Sequence, residues 1–139
     1  MIKDPRTKGA LTELIVKQKF IENNFNVYEP CLASDEIDCI VEKNKKYFRI
    51  QCKTAHYDKR VDSYNVSILG ANYRVYAADA FDYLAAYLPD KEYLYLIPKN
   101  KLKGKNLNII VDREFSKYDK DKYTRTFFVK DYLNNFNLV

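Results

Sequence analysis

Residues Ser34–Thr54, SDEIDCIVEKNKKYFRIQCKT, decide how this chain is read. Two alternating runs, Ile37-Cys39-Val41 and Phe48-Ile50-Cys52, flank a polar turn at Asn44-Lys45, the pattern of strand, tight turn and strand. The turn sets the register. With Lys43 opposite Lys46, Glu42 faces Tyr47, Ile40 faces Arg49 and Asp38 faces Gln51, while Val41/Phe48, Cys39/Ile50 and Ile37/Cys52 stack on the other side. One face is expected to be core and the other not. On the polar face the Cβ atoms of Asp38 and Gln51 lie about 5 Å apart, and Lys53 follows about 7 Å along the strand. A carboxylate, an amide oxygen and an ammonium therefore converge, although a solvated sheet face carries such residues too.

Outward from the hairpin, the N-terminal side reads as a helix from about Lys8 to Asn23, capped by Thr7 and stopped by a left-handed Asn24. At 100° per residue, Val16, Phe20, Glu13, Lys17, Ala10, Ile21 and Leu14 share one arc, and Gln18, Lys19 and Glu22 lie opposite. Glu13 thus falls inside the expected buried stripe, where an i, i+4 pair with Lys17 is its simplest partner. Leu11 and Ile15 fall outside the arc. Asn26 to Pro30 reads as a short strand. After Thr54 the period weakens until Asp82–Leu88 and Glu92–Ile97, two strands apolar at nearly every position and joined by Pro89-Asp90-Lys91. Leu107 to Val111 reads as an edge strand and Phe128 to Phe136 as a short closing helix.

Composition bounds the function. At 139 residues, 47% hydrophobic and 31% charged, the chain suits one core, so residues 1–139 are expected to form a single domain. A formal charge of +5 with 13 tyrosines favours a polyanionic partner. Cys31, Cys39 and Cys52 are odd in number and include no CxxC, which argues against a zinc site or a disulfide framework. No run approaches the ~20 apolar residues of a membrane span, and no signal-like segment opens the chain, so a soluble cytoplasmic protein is expected. His56 is the lone histidine and reads as a loop residue, which excludes chemistry built on paired histidines.

The order of Asp38, a dozen-residue spacer and an apolar strand ending in Gln51-x-Lys53 resembles the PD-(D/E)XK nucleases. Helix-borne Glu13 ahead of Asp38 resembles the early Glu of the Holliday-junction resolvases and homing enzymes of that family. Two departures stand out: Gln51 occupies the usual Glu or Asp position, and no Pro precedes Asp38. The resemblance implies an α/β fold with a restriction-endonuclease-like αβββαβ core, a mixed central sheet flanked by helices, the second helix falling between Tyr64 and Asp82. It also implies a Mg²⁺- or Mn²⁺-dependent endonuclease acting on double-stranded or branched DNA, with Glu13, Asp38, Gln51 and Lys53 as the catalytic set. Asp38 is the principal expected metal ligand, supplemented by the Gln51 amide oxygen, Glu13 and the backbone carbonyl of Cys52; oxygen ligands suit a hard cation that keeps several waters. Lys53 is expected at the attacked phosphate.

Lys59, Arg60, Lys99, Lys101 and Lys103 are the expected DNA contacts, as charges that bind phosphate without reading sequence. A homo-oligomer, dimer or tetramer, is expected because cutting two strands needs two sites; Leu11, Ile15 and the Tyr64–Tyr76 segment are the nominated contacts. The neutral Gln51 keeps open an alternative, a catalytically weak or inactive nuclease-fold module that binds DNA. A protein with no nucleic-acid partner would leave the alignment of Glu13, Asp38, Gln51 and Lys53 a coincidence.

Overall fold

The computed structural model describes residues 2–34, 36–114 and 129–139. Helix α1 runs Pro5–Glu22, three residues earlier than the sequence pattern suggests. Its cap is Asp4 and not Thr7: a carboxylate oxygen of Asp4 accepts the Arg6 N–H at 3.1 Å, and the Thr7 hydroxyl donates to the other oxygen at 3.2 Å. Pro5 suits the first helical position, where its missing N–H has no intrahelical partner to lose. Asn24, at φ 68°, takes the left-handed stop expected of it.

Strand β1, Asn26–Tyr28, pairs antiparallel with β2, Cys39–Lys43, which turns into β3, Lys46–Thr54. The β2–β3 register is the one the turn dictates, Lys43↔Lys46 through Cys39↔Ile50. Asn44 and Lys45 both adopt positive φ, 54° and 66°, as a two-residue turn matched to strand twist demands. Strand β6, Tyr83–Leu88, lies parallel to β3, and β7, Tyr93–Pro98, returns antiparallel beside it, so the five-stranded sheet has the order β1-β2-β3-β6-β7. Strands β4, His56–Asp58, β5, Ser63–Ser67, and β8, Asn106–Ile109, make a second sheet of three.

The fold is thus a mixed α/β one with a mixed central sheet, but the second helix expected between Tyr64 and Asp82 is absent. That stretch supplies β5 and a short 3-10 turn at Ala71–Tyr73. One layer of the central sheet packs on α1 through Val16, Phe20, Cys39, Val41, Ile50, Ala85 and Leu96. The other packs on the small sheet through Val66, Leu84, Ala86, Leu107 and Ile109. Both faces of the central strands are therefore core, which explains why every residue of β6 is buried. The expectation of one open hairpin face holds only near the turn, where Tyr47 is exposed; Gln51, at the far end, is 6% exposed.

The helix is rotated relative to the expected arc. Its buried stripe is Thr12, Val16 and Phe20, with Ile15 packed against the core and Leu14 and Ile21 more than half exposed. Phe20 determines the rotation: its ring sits edge-on to Phe25 at 5.2 Å and to Phe136 at 5.3 Å, so the C-terminal residues close over the helix end. Phe128 to Phe136 does not form the expected α-helix where it is described; Val129–Tyr132 is a 3-10 turn, and Asn134 then donates its N–H to Leu94.

Asp82 locks the parallel pair. Its carboxylate accepts the Arg49 backbone N–H at 2.7 Å and two guanidinium N–H groups at 3.2 and 3.0 Å, while Arg49 also donates to the Asp79 carbonyl at 2.7 Å. The ion pair is over a third exposed, so screening reduces its worth, yet removing the acceptor strands a strand-edge N–H. Asp82→Ala is expected to lower stability by about 1–2 kcal/mol in a urea titration, with Asp82→Asn losing less.

Candidate active site

Asp38 stands one residue before β2, and its N–H donates to the Ile50 carbonyl at 2.8 Å. Since Cys39 pairs with Ile50, the continued register puts Asp38 opposite Gln51. Its carboxylate then reaches the next residue of β3, accepting the Cys52 N–H at 2.7 Å. Lys53 is half-buried, donates to the Leu69 carbonyl at 3.0 Å and lies 5.7 Å from the centre of the Tyr76 ring. These contacts hold the lysine chain in one direction.

Glu13 comes from α1. The partner suggested by its spacing, Lys17, instead binds Glu29 just beyond β1. Burial, and next the hydrogen bond to and charge of Asp38, raise the Glu13 carboxyl from 4.5 to about 7. Two carboxyls thus adjoin at the end of β3, one of them holding a proton near neutrality. Burial pushes Lys53 below its ordinary value against the opposing pull of Asp38. A perturbed acid, Glu13, and a perturbed lysine, Lys53, in one place mark a candidate site on physical grounds.

Gln51 adds the fourth group. Its Oε1 is buried and has no hydrogen-bond partner among the described residues, an arrangement native interiors avoid unless something else satisfies the atom. Among the described residues no three His, Cys, Asp or Glu side chains gather as a metal site. Two carboxylates and an unsatisfied amide oxygen nevertheless fit the donor chemistry of a hard divalent cation.

The cleft at this end of β3 has a volume of about 360 Å³ and is lined by Glu13, Cys52 and Lys53 together with residues that sequence reasoning missed: Lys8, Gly9, Thr12 and Thr54. Thr12 and Thr54 share a 2.7 Å hydrogen bond between their hydroxyls. Neither had a sequence signal, since Thr12 lies outside the helical arc that the periodicity suggested and is buried only because the helix is rotated. Of the expected DNA contacts, Lys59 and Arg60 occupy the β4–β5 turn that follows β3, where Arg60 forks onto Asp58. Lys99, Lys101 and Lys103 follow β7 at the opposite end of the β6–β7 pair, because Pro98 pairs with Tyr83. The two basic groups are not brought together. Cys39 and Cys52 are buried and Cys31 is exposed, and all three are free thiols. The side-chain hydrogen bond with Cys39, and next burial, raise the Cys52 thiol well above its usual range.

The raised Glu13 carboxyl has a consequence for stability. Between about pH 4.5 and 7 the folded chain keeps a proton that the unfolded chain releases, so the contribution of Glu13 to stability falls as pH rises and is fully lost above about 7. Without divalent cations, wild type should lose stability relative to Glu13→Gln between pH 5 and 8 in denaturant titrations; parallel curves would place Glu13 in an ordinary environment.

Among the described residues one α-helix packs on a mixed five-stranded sheet, the arrangement of a restriction-endonuclease-like α/β core. The chain is a member of the PD-(D/E)XK endonuclease family, whose model matches residues 3–129. It is 31% identical over 99 residues to Protein 5.3 of Escherichia phage T7, covering 70% of this chain and 82% of that protein. Its fold is similar to that of a bacterial homing endonuclease, I-Ssp6803I, with a TM-score of 0.72 at 14% identity over 96% of this chain and 88% of the other.

Proposed function

We propose that the chain is a divalent-cation-dependent endonuclease that hydrolyses phosphodiester bonds in DNA, with Glu13, Asp38, Gln51 and Lys53 as its site. The observation that carries this reading is the unsatisfied Oε1 of Gln51 beside Asp38, a buried oxygen that a cation would satisfy. Asp38, Gln51 and the Cys52 carbonyl would hold Mg²⁺ or Mn²⁺, with Glu13 as a further ligand. A bound cation would neutralise phosphate charge and acidify an attacking water. Asp38 accepts the Cys52 N–H, which fixes its carboxylate relative to the strand. Lys53, held by Leu69, aims positive charge at the attacked phosphate and stabilises the charge that develops there. Membership of the nuclease family and the +5 charge support DNA as the substrate.

The test is incubation of supercoiled, linear and branched DNA with Mg²⁺ or Mn²⁺, and with EDTA. Cleavage that persists in EDTA would remove the cation from the mechanism. Salt-sensitive binding without cleavage would favour the second reading, a binding module, which the neutral Gln51 recommends.

The working unit is a homo-oligomer, since one chain offers one such site and a duplex has two strands. Leu11 is 41% exposed and, with Leu14 and Ile21, gives α1 an outward apolar stripe. Ile15 is partly buried against the core, and of the Tyr64–Tyr76 segment the two end residues are buried while Tyr73 and Val75 are exposed. Light scattering at tens of micromolar should give at least twice the 16.5 kDa chain mass. A monomer mass that persists with DNA would point to a nicking enzyme. No described helix is long and apolar enough to cross a membrane.

A further inference from the structure

The cleft that holds Glu13 and Lys53 extends past them along the first turns of α1. Pro5, Lys8, Gly9 and Thr12, spaced as one helical face, line it opposite Thr54 and His56. Gly9 lies within an 18-residue helix, where glycine is the least favourable residue after proline. Neither packing nor a cap requires it: a Cβ there would meet no atom within 4 Å. The empty space lies along the cleft wall. The Lys8 ammonium has no acid or carbonyl partner among the described residues, and the two threonine hydroxyls share a single hydrogen bond between them. Lys8, Lys53 and His56 face one carboxyl, Glu13, so the lining suits an anion carrying several acceptor oxygens.

We propose that this cleft seats the phosphodiester adjoining the scissile one on the strand being cut. The assignment rests on the nuclease reading of Glu13, Asp38 and Lys53. Gly9 lets the sugar-phosphate backbone lie directly against α1, Lys8 pairs with the phosphate, and the Thr54 hydroxyl donates to it while accepting from Thr12. A larger side chain at position 9 would occupy the path of the backbone.

The experiment measures binding of a fluorescent DNA duplex by anisotropy in EDTA, across a salt series, for the full chain. Gly9→Ala should melt above wild type, since alanine is the better helix former. Gly9→Leu should fold and bind about tenfold more weakly. Lys8→Gln should lower the slope of log affinity against log salt by about one, the loss of one phosphate contact. Ala10→Gln, one position round the helix and exposed, should bind as wild type. Folded Gly9→Leu with wild-type affinity and an unchanged slope in Lys8→Gln would overturn the cleft assignment alone. Wild type without salt-dependent DNA binding would overturn it together with the nuclease reading. Inorganic phosphate binding as tightly as the duplex, and lost in Lys8→Gln, would make the cleft a free-anion site and overturn the assignment to DNA.

Discussion

Asp38→Asn is expected to cut DNA cleavage by about 10³-fold or more while leaving the melting temperature close to that of wild type. The carboxylate does two separable things. It accepts the Cys52 N–H at 2.7 Å, which an amide oxygen can also do, and it supplies negative charge beside Glu13 and Gln51, which an amide cannot. A loss of 10³ corresponds to about 4 kcal/mol of transition-state stabilisation, within reach of a charge that holds a cation at the reacting phosphate. Asp38→Ala should be equally inactive and less stable by about 1–3 kcal/mol, because it leaves the Cys52 N–H without its acceptor. Lys53→Ala should lose about 10²-fold, the usual cost of one donor aimed at developing negative charge. Full cleavage by Asp38→Asn, measured on plasmid with Mn²⁺, would end the assignment of this site.

Gln51→Glu should move two quantities in opposite directions. Cation affinity should rise about 10- to 100-fold in a calorimetric Mn²⁺ titration, because a charged ligand replaces a neutral oxygen of the same reach. Stability without cation should fall by about 2 kcal/mol, since the new carboxyl would be buried next to Asp38 and near a Glu13 already raised to about 7. Gln51→Leu offers the converse: it removes an unsatisfied buried oxygen, should gain about 1 kcal/mol without cation, and should bind Mn²⁺ weakly. Weaker Mn²⁺ binding in Gln51→Glu than in wild type would take Gln51 out of the ligand set.

The parts of this protein legible from its sequence are those governed by neighbours along the chain. Asn44-Lys45 specifies a two-residue turn, a two-residue turn specifies the register, and the register puts Asp38 opposite Gln51 without any help from the remainder of the fold. Asn24 and the β6–β7 hairpin are legible for the same reason. Helix α1 shows the limit of that reasoning. Apolar residues occur nearly all round it, so periodicity admits several buried stripes, and it is Phe25 and Phe136, one after the helix and one near the end of the chain, that select the face carrying Thr12, Val16 and Phe20. The small sheet shows it again. Strands β5 and β8 are separated by some forty residues yet pair from Tyr64↔Ile109 to Ser67↔Asn106, and only that pairing covers the second face of β6 and packs the layer beside Gln51. The sequence by itself determined the hairpin, its register and the order of acid, amide and lysine. Tertiary structure alone decided that Gln51 is buried with an unpaired oxygen, that Glu13 meets Asp38 and not Lys17, and that Gly9 and Lys8 share their cleft, because burial is a property of what long-range pairing brings overhead.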